Sequence, residues 1–364
     1  MAGFPSGDLA SDVVATSHRR PKVHVLEKEP RTRFLGTGSY APARVVPNAE
    51  LEAIVETSDE WIATRTGIRR RHFAADDETT SDMAAEAGRR ALDAAGLSVA
   101  DLDLIIVATV TPDQPSPSCA TAVQRKLGAS DIPAFDIAAA CAGFVYGITI
   151  ADQFIATGAA RCVLVIGVEL LSRALNWQDR TTCVLFGDGA GAVVLGPASM
   201  PHPRDVPDGP RPGILATQIF TDGSLADALR IPAGGATLPV TLEGLETRQN
   251  KVHMDGHDVF RTAVKQLTAS SAQVMKAAGL VSRDLDWVVP HQANLRIIAQ
   301  VSQRLGFSLD KFILNLDEYG NTSSASIPIA LDEGVRDGRI RPGQQVLMCA
   351  LGAGISWGAA VVRL

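Results

Sequence analysis

Three short segments of this 364-residue chain carry side chains able to form a thioester and then polarise its carbonyl group. Cys141 follows an apolar run that we expect to form a strand ending at Cys141, and residues 142–156 are apolar enough for a buried helix. The positive end of that helix would lower the pKa of the thiol. His291 and Asn321 lie downstream in two short polar segments. A nucleophile with two hydrogen-bonding partners is the set that thioester chemistry needs.

The segments that must position these side chains alternate short β runs with helical runs, which is typical of an α/β fold. Residues 95–106 match residues 278–289 without a gap, and residues 191–194 are echoed by residues 358–361. This repeated order indicates two duplicated halves, with a boundary in the proline-rich stretch 198–213. The expected parts are a mobile N-terminal extension over 1–30, a half carrying the cysteine over 31–200, and a half carrying the histidine and asparagine over 201–364.

Composition narrows the class of protein. A net charge of −6 argues against general nucleic-acid binding, and with 46% hydrophobic residues the chain still has no apolar run long enough to span a membrane. The five cysteines are odd in number and show no CxxC spacing, so neither a disulfide framework nor a zinc site is predicted. We therefore expect a cytoplasmic enzyme without a metal, with neither nucleic acid nor membrane as a partner.

The glycine-rich tail over residues 351–358 allows the backbone to approach other groups closely. One interpretation is that it aims a backbone N–H at a thioester oxygen, beside the N–H of Cys141. The other is that it forms only a tight connection between two strands.

Seven segments, in this order and spacing, resemble the β-ketoacyl-acyl carrier protein synthase III family of thiolase-fold condensing enzymes. They are residues 36–40, 56–62, 64–69, 135–144, 186–191, 289–296 and 320–322, and the resemblance runs from 37 to 364. It implies a thiolase-like five-layer α-β-α-β-α fold and a homodimer. It also implies acyl-CoA and malonyl-acyl carrier protein as partners, with no permanently bound cofactor.

The resemblance also implies roles for the three candidate residues. Cys141 would attack an acyl-CoA, and His291 and Asn321 would donate hydrogen bonds to the thioester oxygen as malonyl-acyl carrier protein loses carbon dioxide. The backbone N–H groups of Cys141 and Ala353 would form the oxyanion hole of the condensation. An amide at position 321 donates but does not accept a proton, which favours decarboxylative condensation.

Other site residues follow from the resemblance position by position. Trp61 and Arg180 match a pair that sandwiches the adenine of CoA. The full set of expected CoA contacts is Thr57, Trp61, Arg65, Arg180, Gly256 and Asn294. The expected docking face for the acidic carrier protein consists of Arg261 and Arg296, extended at helical spacing by Lys265 and Arg304.

The acyl pocket is expected to involve Ser116, Phe186 and Leu351. Ser116 and Leu351 stand where relatives commonly carry phenylalanine, so we predict a pocket wider or longer than one for acetyl groups only. Two other functions stay open. One is an acyltransferase of secondary metabolism that passes the acyl group to a hydroxyl or amine, which Asn321 disfavours. The other is a non-catalytic acyl-binding subunit, which would be expected to lose Cys141 or His291.

Overall fold

The computed structural model describes residues 29–364. Most of the predicted N-terminal extension, residues 1–28, lies outside the described residues. Of its last two residues, Glu29 forms an ion pair with Arg211 at 2.7 Å and Pro30 is buried.

Two main sheets and the helices around them account for most of the described chain. The strands are β1 Thr32–Tyr40, β2 Arg44–Pro47, β3 Arg70–Phe73, β4 Leu104–Ala108, β5 Ala134–Ile137, β6 Val163–Glu169, β7 Gly189–Pro197, β8 Gly213–Thr221, β9 Leu229–Arg230, β10 His253–Met254, β11 Trp287–Pro290, β12 Gln345–Gly352 and β13 Ser356–Arg363. The α-helices are α1 Asn48–Leu51, α2 Asp59–Thr66, α3 Thr80–Ala95, α4 Cys119–Leu127, α5 Gly143–Ala156, α6 Leu242–Glu246, α7 Gly256–Ala277, α8 Leu295–Leu305, α9 Leu316–Tyr319 and α10 Ser326–Arg336.

The first main sheet has the strand order β1-β7-β6-β4-β5, and the second has the order β11-β12-β13-β8. In the first sheet β4 runs parallel to β5 and β6, whereas β7 is antiparallel to β1 and β6. In the second sheet β11 and β12 are parallel and the other pairs are antiparallel. The first sheet uses only strands before residue 198 and the second only strands after residue 212.

The helices form three layers around the two sheets. Apolar residues of α3 and α4 pack against one face of the first sheet. The helices α5 and α10 lie between the sheets, where Phe144 and Ile327 share a buried cluster with Met348 of β12. On the outer face of the second sheet, α7 and α8 pack against alternate residues of β12 and β13. The order of layers is therefore α-β-α-β-α.

The two repeated segments have the same local structure. In the first, α3 ends before Gly96, which has φ +66°, and a short 3-10 turn leads into β4. In the second, α7 is followed by Gly279, which has φ +72°, and an equivalent turn leads into β11. Glycine adopts this left-handed conformation without steric cost, which explains its place at both helix ends.

The prediction of a strand ending at Cys141 is wrong. The strand β5 ends at Ile137, and Cys141 lies in a 3-10 turn over Ala140–Ala142. Ala140 has φ +44°, so the chain leaves the extended conformation before the cysteine. The predicted buried helix is confirmed, since α5 begins at Gly143 and ends at Ala156.

Among the helices of residues 29–364, none combines the length and apolar character needed to cross a membrane.

Candidate active site

Cys141 lines a cavity of about 430 Å³ and lies two residues before the start of α5. Its side chain is buried, with 7% of the residue surface exposed. Burial raises the pKa of Cys141 to about 12, and the neighbouring Ser323 hydroxyl offsets part of this shift. The pKa of Cys141 is therefore shifted upward, which is opposite to the direction expected from the helix N-terminus. Burial disfavours the charged thiolate.

His291 follows β11 and lines the same cavity. Its Nδ1 lies 2.7 Å from Ser326 Oγ, and Ser326 Oγ lies 2.9 Å from the Ser323 carbonyl oxygen. Burial lowers the pKa of His291 to about 3, so the imidazole is neutral at neutral pH. Its Nε2 is buried and has no hydrogen-bond partner in the described part of the chain. That atom is free to interact with a bound substrate.

Asn321 also lines the cavity, and its orientation is set by the neighbouring backbone. The N–H of Ser323 donates to Asn321 Oδ1 at 2.8 Å, which leaves the amide N–H groups of Asn321 as donors. The backbone of Asn321 is bonded to Leu185 and Gly187, so this loop of the second half is fixed to the first half. Gly320 has φ +65°, and a Cβ there would lie 2.9 Å from the Leu185 carbonyl oxygen.

Left-handed backbone at non-glycine residues occurs close to Cys141, Asn321 and Ala353 in the sequence. Ala140 precedes Cys141, and its φ is +44°; Ser323 lies two residues after Asn321 with φ +51°. Ile355, two residues after Ala353, has φ +44°. Such conformations are strained and persist where surrounding contacts fix them. The same contacts fix the positions of the groups that face the cavity.

The glycine-rich tail approaches the nucleophile closely. A Cβ on Gly352 would collide with the backbone nitrogen of Cys141 and lie 3.0 Å from Ala140 Cβ. Gly352 ends β12, and a 3-10 turn over Ala353–Ile355 leads into β13. The segment is therefore a tight strand connection that also brings backbone beside Cys141. The oxyanion role of Ala353 stays a prediction.

The cavity brings together most of the residues expected to act on or bind the substrate. Its lining includes Trp61, Arg65, Cys141, Arg180, Phe186, Gly256, His291, Asn294, Arg296, Asn321 and Leu351. It does not include Thr57, Ser116, Arg261, Lys265, Arg304 or Ala353. Ser116 is exposed on the chain surface, and Thr57 Oγ1 is buried without a hydrogen-bond partner among the described residues.

At the cavity mouth the Trp61 ring already has cationic neighbours. The Arg65 guanidinium lies 4.5 Å from the ring centroid and the Arg180 guanidinium 5.3 Å from it. Arg180 also donates to the Glu56 carbonyl oxygen at 3.1 Å. An adenine ring inserted between Trp61 and Arg180 must move the guanidinium, because the present separation has room for a cation–π contact only.

The four expected docking residues are exposed on the outer helices α7 and α8. Arg296 lies at the cavity rim with its guanidinium 5.8 Å from the Phe260 ring. Arg261 forms an ion pair with Asp258 at 3.0 Å, which offsets part of its charge. The expected docking surface is therefore basic beside the cavity, at Arg296, and partly neutralised at Arg261.

Sequence reasoning missed three residues next to the reacting groups. Ser323 and Ser326 lie in the same polar segment as Asn321. The sequence alone does not show that one of these hydroxyls contacts the His291 ring. Glu169 is a fully buried acid at the end of the apolar strand β6. An acidic residue at the end of an otherwise apolar strand is the sequence signal that could have identified Glu169.

A larger, open cleft of about 940 Å³ lies between α3 and α10. Its lining includes the charged residues Arg90, Asp93, Asp332 and Arg336. Arg336 pairs with Asp332 within α10, and Arg90 donates to the Ser39 carbonyl oxygen. Since its lining includes neither a thiol nor an imidazole, we place the reaction in the smaller cavity.

Comparison with known proteins identifies the family. Residues 135–223 match the family model of 3-oxoacyl-[acyl-carrier-protein] synthase III, and residues 275–364 match the model of its C-terminal region. A β-ketoacyl-[acyl-carrier-protein] synthase III of Paramagnetospirillum magneticum is 50% identical over 334 residues, covering 92% of this chain and 99% of that protein. The chain belongs to the 3-oxoacyl-[acyl-carrier-protein] synthase III family.

Solved structures of synthase III relatives share its fold. The enzyme of Aquifex aeolicus is 44% identical, with a TM-score of 0.82 over 92% of this chain and 100% of that chain. The priming β-ketosynthase from the R1128 polyketide biosynthetic pathway is 38% identical, with a TM-score of 0.82 over 92% of this chain and 97% of that chain. The predicted family and the thiolase-like five-layer fold are therefore confirmed.

Proposed function

We propose that this chain joins the acyl group of an acyl-CoA to the two-carbon unit of malonyl-acyl carrier protein, releasing CoA and carbon dioxide. The product is a 3-oxoacyl-acyl carrier protein, which starts a fatty acid or polyketide-type chain. The observation that carries the proposal is the convergence of Cys141, His291 and Asn321 on one cavity in a synthase III family member. No permanently bound cofactor takes part in the proposed steps.

In the first half-reaction the Cys141 sulfur attacks the thioester carbon of the acyl-CoA, and the bond from that carbon to the CoA sulfur breaks. The released CoA thiolate takes a proton from solvent. The backbone N–H groups of Cys141 and Ala353 would stabilise the tetrahedral oxyanions that form at the acyl carbon. Because burial raises the pKa of Cys141, the thiol must lose its proton as it attacks.

In the second half-reaction the malonyl carboxylate leaves as carbon dioxide, and its bonding electrons form an enolate. Hydrogen bonds from His291 Nε2 and the Asn321 amide would stabilise the enolate oxygen. These donors stabilise the enolate more than the ground-state thioester, because their hydrogen bonds strengthen as negative charge appears on the oxygen. The enolate carbon then attacks the acyl-Cys141 carbonyl, and Cys141 leaves as a thiolate.

We propose that Ser326 positions the proton of His291 by donating to Nδ1 in place of the Ser323 carbonyl oxygen, its acceptor in the structure. A neutral imidazole carries one N–H, which must be on Nε2 for the ring to donate to the enolate. Ser326 Oγ lies within hydrogen-bond distance of both His291 Nδ1 and the Ser323 carbonyl oxygen, and its single proton serves one of them. When Ser326 donates to Nδ1, the His291 proton is on Nε2 and faces the cavity.

Replacing Ser326 by alanine is expected to lower the rate of condensation about tenfold, since it removes one hydrogen bond that favours the donor tautomer. Acyl loading of Cys141 should change by less than about twofold, because that step does not use His291 as a donor. Separate measurements of loading and condensation check this, with the exposed Ser224→Ala as a matched control. Equal losses in both half-reactions would mean that Ser326 supports the site as a whole.

CoA binding and carrier-protein docking are proposed at the residues that the resemblance identified. For CoA these are Thr57, Trp61, Arg65, Arg180, Gly256 and Asn294, and for the carrier protein Arg261, Arg296, Lys265 and Arg304. The support is the position of most of the first set around the cavity mouth and of Arg296 at its rim. Guanidinium groups suit both the phosphates of CoA and an acidic carrier protein.

We also propose that the enzyme is a cytoplasmic homodimer built from two duplicated halves, with the boundaries given by the sequence. The division is supported by the two sheets, which use strands from separate parts of the chain. The alternative acyltransferase function is not favoured, because the chain retains Asn321 and is about half identical to synthase III enzymes.

The acyl pocket is proposed to accept chains longer than acetyl. Leu351 is buried at the cavity wall and occupies less space there than a phenylalanine would. Butyryl to octanoyl esters of CoA should load Cys141 at rates within about tenfold of acetyl-CoA, and Leu351→Phe should slow the longer chains by about tenfold through overpacking. Single-turnover loading across the ester series measures this, with the surface variant Leu309→Phe as the control. A sharp preference of the unmodified enzyme for acetyl-CoA would contradict the proposed pocket.

The function itself is tested with purified enzyme, an acyl-CoA and malonyl-acyl carrier protein. We expect carbon dioxide, CoA and 3-oxoacyl-acyl carrier protein in equal amounts. Transfer of the acyl group to a hydroxyl or amine, without carbon dioxide, would support the alternative instead.

A further inference from the structure

Glu169 is a buried carboxyl near the nucleophile that the steps above do not use. It ends β6 and has no exposed surface. Its Oε2 accepts a hydrogen bond from Thr111 Oγ1 at 2.8 Å and one from the Val110 N–H at 3.1 Å. Both donors are uncharged. A carboxyl in this setting exchanges its proton more readily near neutral pH than an exposed one, because burial disfavours its charged form.

The Ser323 hydroxyl connects this carboxyl with the nucleophile. Ser323 Oγ donates to Glu169 Oε1 at 3.2 Å, and the same hydroxyl lies near enough to the Cys141 sulfur to lower the pKa of that thiol. The turn Ser323–Ala325 packs against the turn Ala140–Ala142 that carries the cysteine. The Ser323 backbone is held in place as well, since its N–H donates to Asn321 Oδ1. The Ser323 hydroxyl is therefore bonded to the carboxyl and adjacent to the sulfur.

We propose that Glu169 accepts the proton of Cys141 through the Ser323 hydroxyl as the sulfur attacks the acyl-CoA. The S–H bond breaks and its proton moves to Ser323 Oγ, while the Ser323 proton moves to Glu169 Oε1. The reverse transfer re-protonates the Cys141 thiolate that condensation releases. The inference rests on the proposed role of Cys141 as nucleophile, and it makes Glu169 and Ser323 positioning residues for proton transfer.

The surroundings of Glu169 suit both of its protonation states. As a carboxylate it receives the donors from Val110 and Thr111. As a carboxylic acid it can donate from Oε1 to Ser324 Oγ at 3.3 Å, because the Ser324 proton is directed to the Ala108 carbonyl oxygen at 2.8 Å. Burial raises the pKa of Glu169 to about 7, which suits a proton acceptor working near neutral pH.

Few other ionisable groups face the side chains of Cys141, Ser323 and Glu169. Asp188 precedes Gly189, which pairs with Glu169 across the sheet. The Asp188 oxygens already accept from the backbone of Ala74 and from the backbone and hydroxyl of Ser172. His291, whose pKa burial lowers to about 3, stays neutral across the pH range used below. Hydrogen bonds to Glu169 itself come from Val110, Thr109, Thr111, Ser323 and Ser324, all uncharged.

The pH dependence of Cys141 alkylation by iodoacetamide tests the proposal, with the modified peptide read by mass spectrometry. Below about pH 7, where Glu169 is protonated, the rate should rise about tenfold per pH unit. Above about pH 7 it should stay flat for one to two pH units, because the proton then moves inside the protein and the number of bound protons does not change. A thiol that loses its proton to solvent gives no flat segment.

Glu169→Gln keeps the size of the side chain but removes its capacity to accept the proton. We expect its profile to rise about tenfold per pH unit throughout, without the flat segment. Ser323→Ala should lose the flat segment too, although Glu169 is retained. The matched control is Asp152→Asn, which changes a different buried carboxyl, on α5. This variant should keep the flat segment.

A wild-type profile that rises without a break, or a Glu169→Gln profile that stays flat above about pH 7, overturns the proposal. If Glu169→Gln does not fold, the wild-type and Ser323→Ala profiles still decide the question. Alkylation requires neither acyl-CoA nor malonyl-acyl carrier protein, so a failure to release carbon dioxide would overturn the proposed function without changing these profiles.

Discussion

Replacing Asn321 by alanine is expected to lower the rate of condensation on the order of 100- to 1000-fold, the loss seen when one donor to a developing oxyanion is removed. Acyl loading of Cys141 should remain measurable and should fall far less than condensation does. The difference arises because the enolate exists only in the second half-reaction. Rapid-quench measurement of acyl-enzyme formation and of carbon dioxide release separates the two steps.

The variant Asn321→Asp isolates the donor from the local structure. The Asn321 Oδ1 accepts the Ser323 N–H at 2.8 Å, and an aspartate keeps that acceptor while losing the amide N–H groups. We expect its condensation rate to fall at least as far as that of the alanine variant, since a carboxylate also repels the enolate. If either variant condensed at the unmodified rate, the role assigned to Asn321 would be wrong.

Replacing Cys141 by alanine has the largest expected effect, a loss of acyl loading below detection. No other side chain of the cavity lining is a thiol, so no covalent intermediate can form there. Condensation should be lost together with loading. Mass spectrometry of the intact protein after incubation with acyl-CoA measures the adduct directly.

Cys162→Ala is the matched control for the cysteine variant. Cys162 is also buried, but it precedes β6 at the end opposite to Glu169 and lies outside the cavity lining. Its loading should equal that of the unmodified enzyme. An acyl adduct that persisted in Cys141→Ala, or disappeared in Cys162→Ala, would place the nucleophile elsewhere.

Local sequence pattern was sufficient for the elements that carry the reacting groups. Apolar residues predicted the buried helix α5, and the helix-glycine-strand order predicted in both repeated segments is present in the structure. Both signals come from residues close together in the chain, where periodicity and glycine placement act directly. The polar segments around His291 and Asn321 were likewise recognisable as candidate loops.

The features that sequence reasoning missed depend on contacts between distant residues. The strand before Cys141 ends at Ile137, and Ala140 then adopts a left-handed conformation, which an alanine-rich sequence does not signal. Burial raises the pKa of Cys141, and the residues that line the cavity beside it come from distant parts of the chain. Glu169 and Ser323 are 154 residues apart, and only the folded chain places them together.

The central claim is that the acyl group held by Cys141 becomes part of the condensation product. It is tested by loading the enzyme with an isotopically labelled acyl-CoA, removing the free CoA ester, and adding unlabelled malonyl-acyl carrier protein. We predict that the label leaves the peptide containing Cys141 and appears on 3-oxoacyl-acyl carrier protein with one carbon dioxide released per label. Label that stayed on Cys141, or moved to an acceptor without carbon dioxide, would contradict the account.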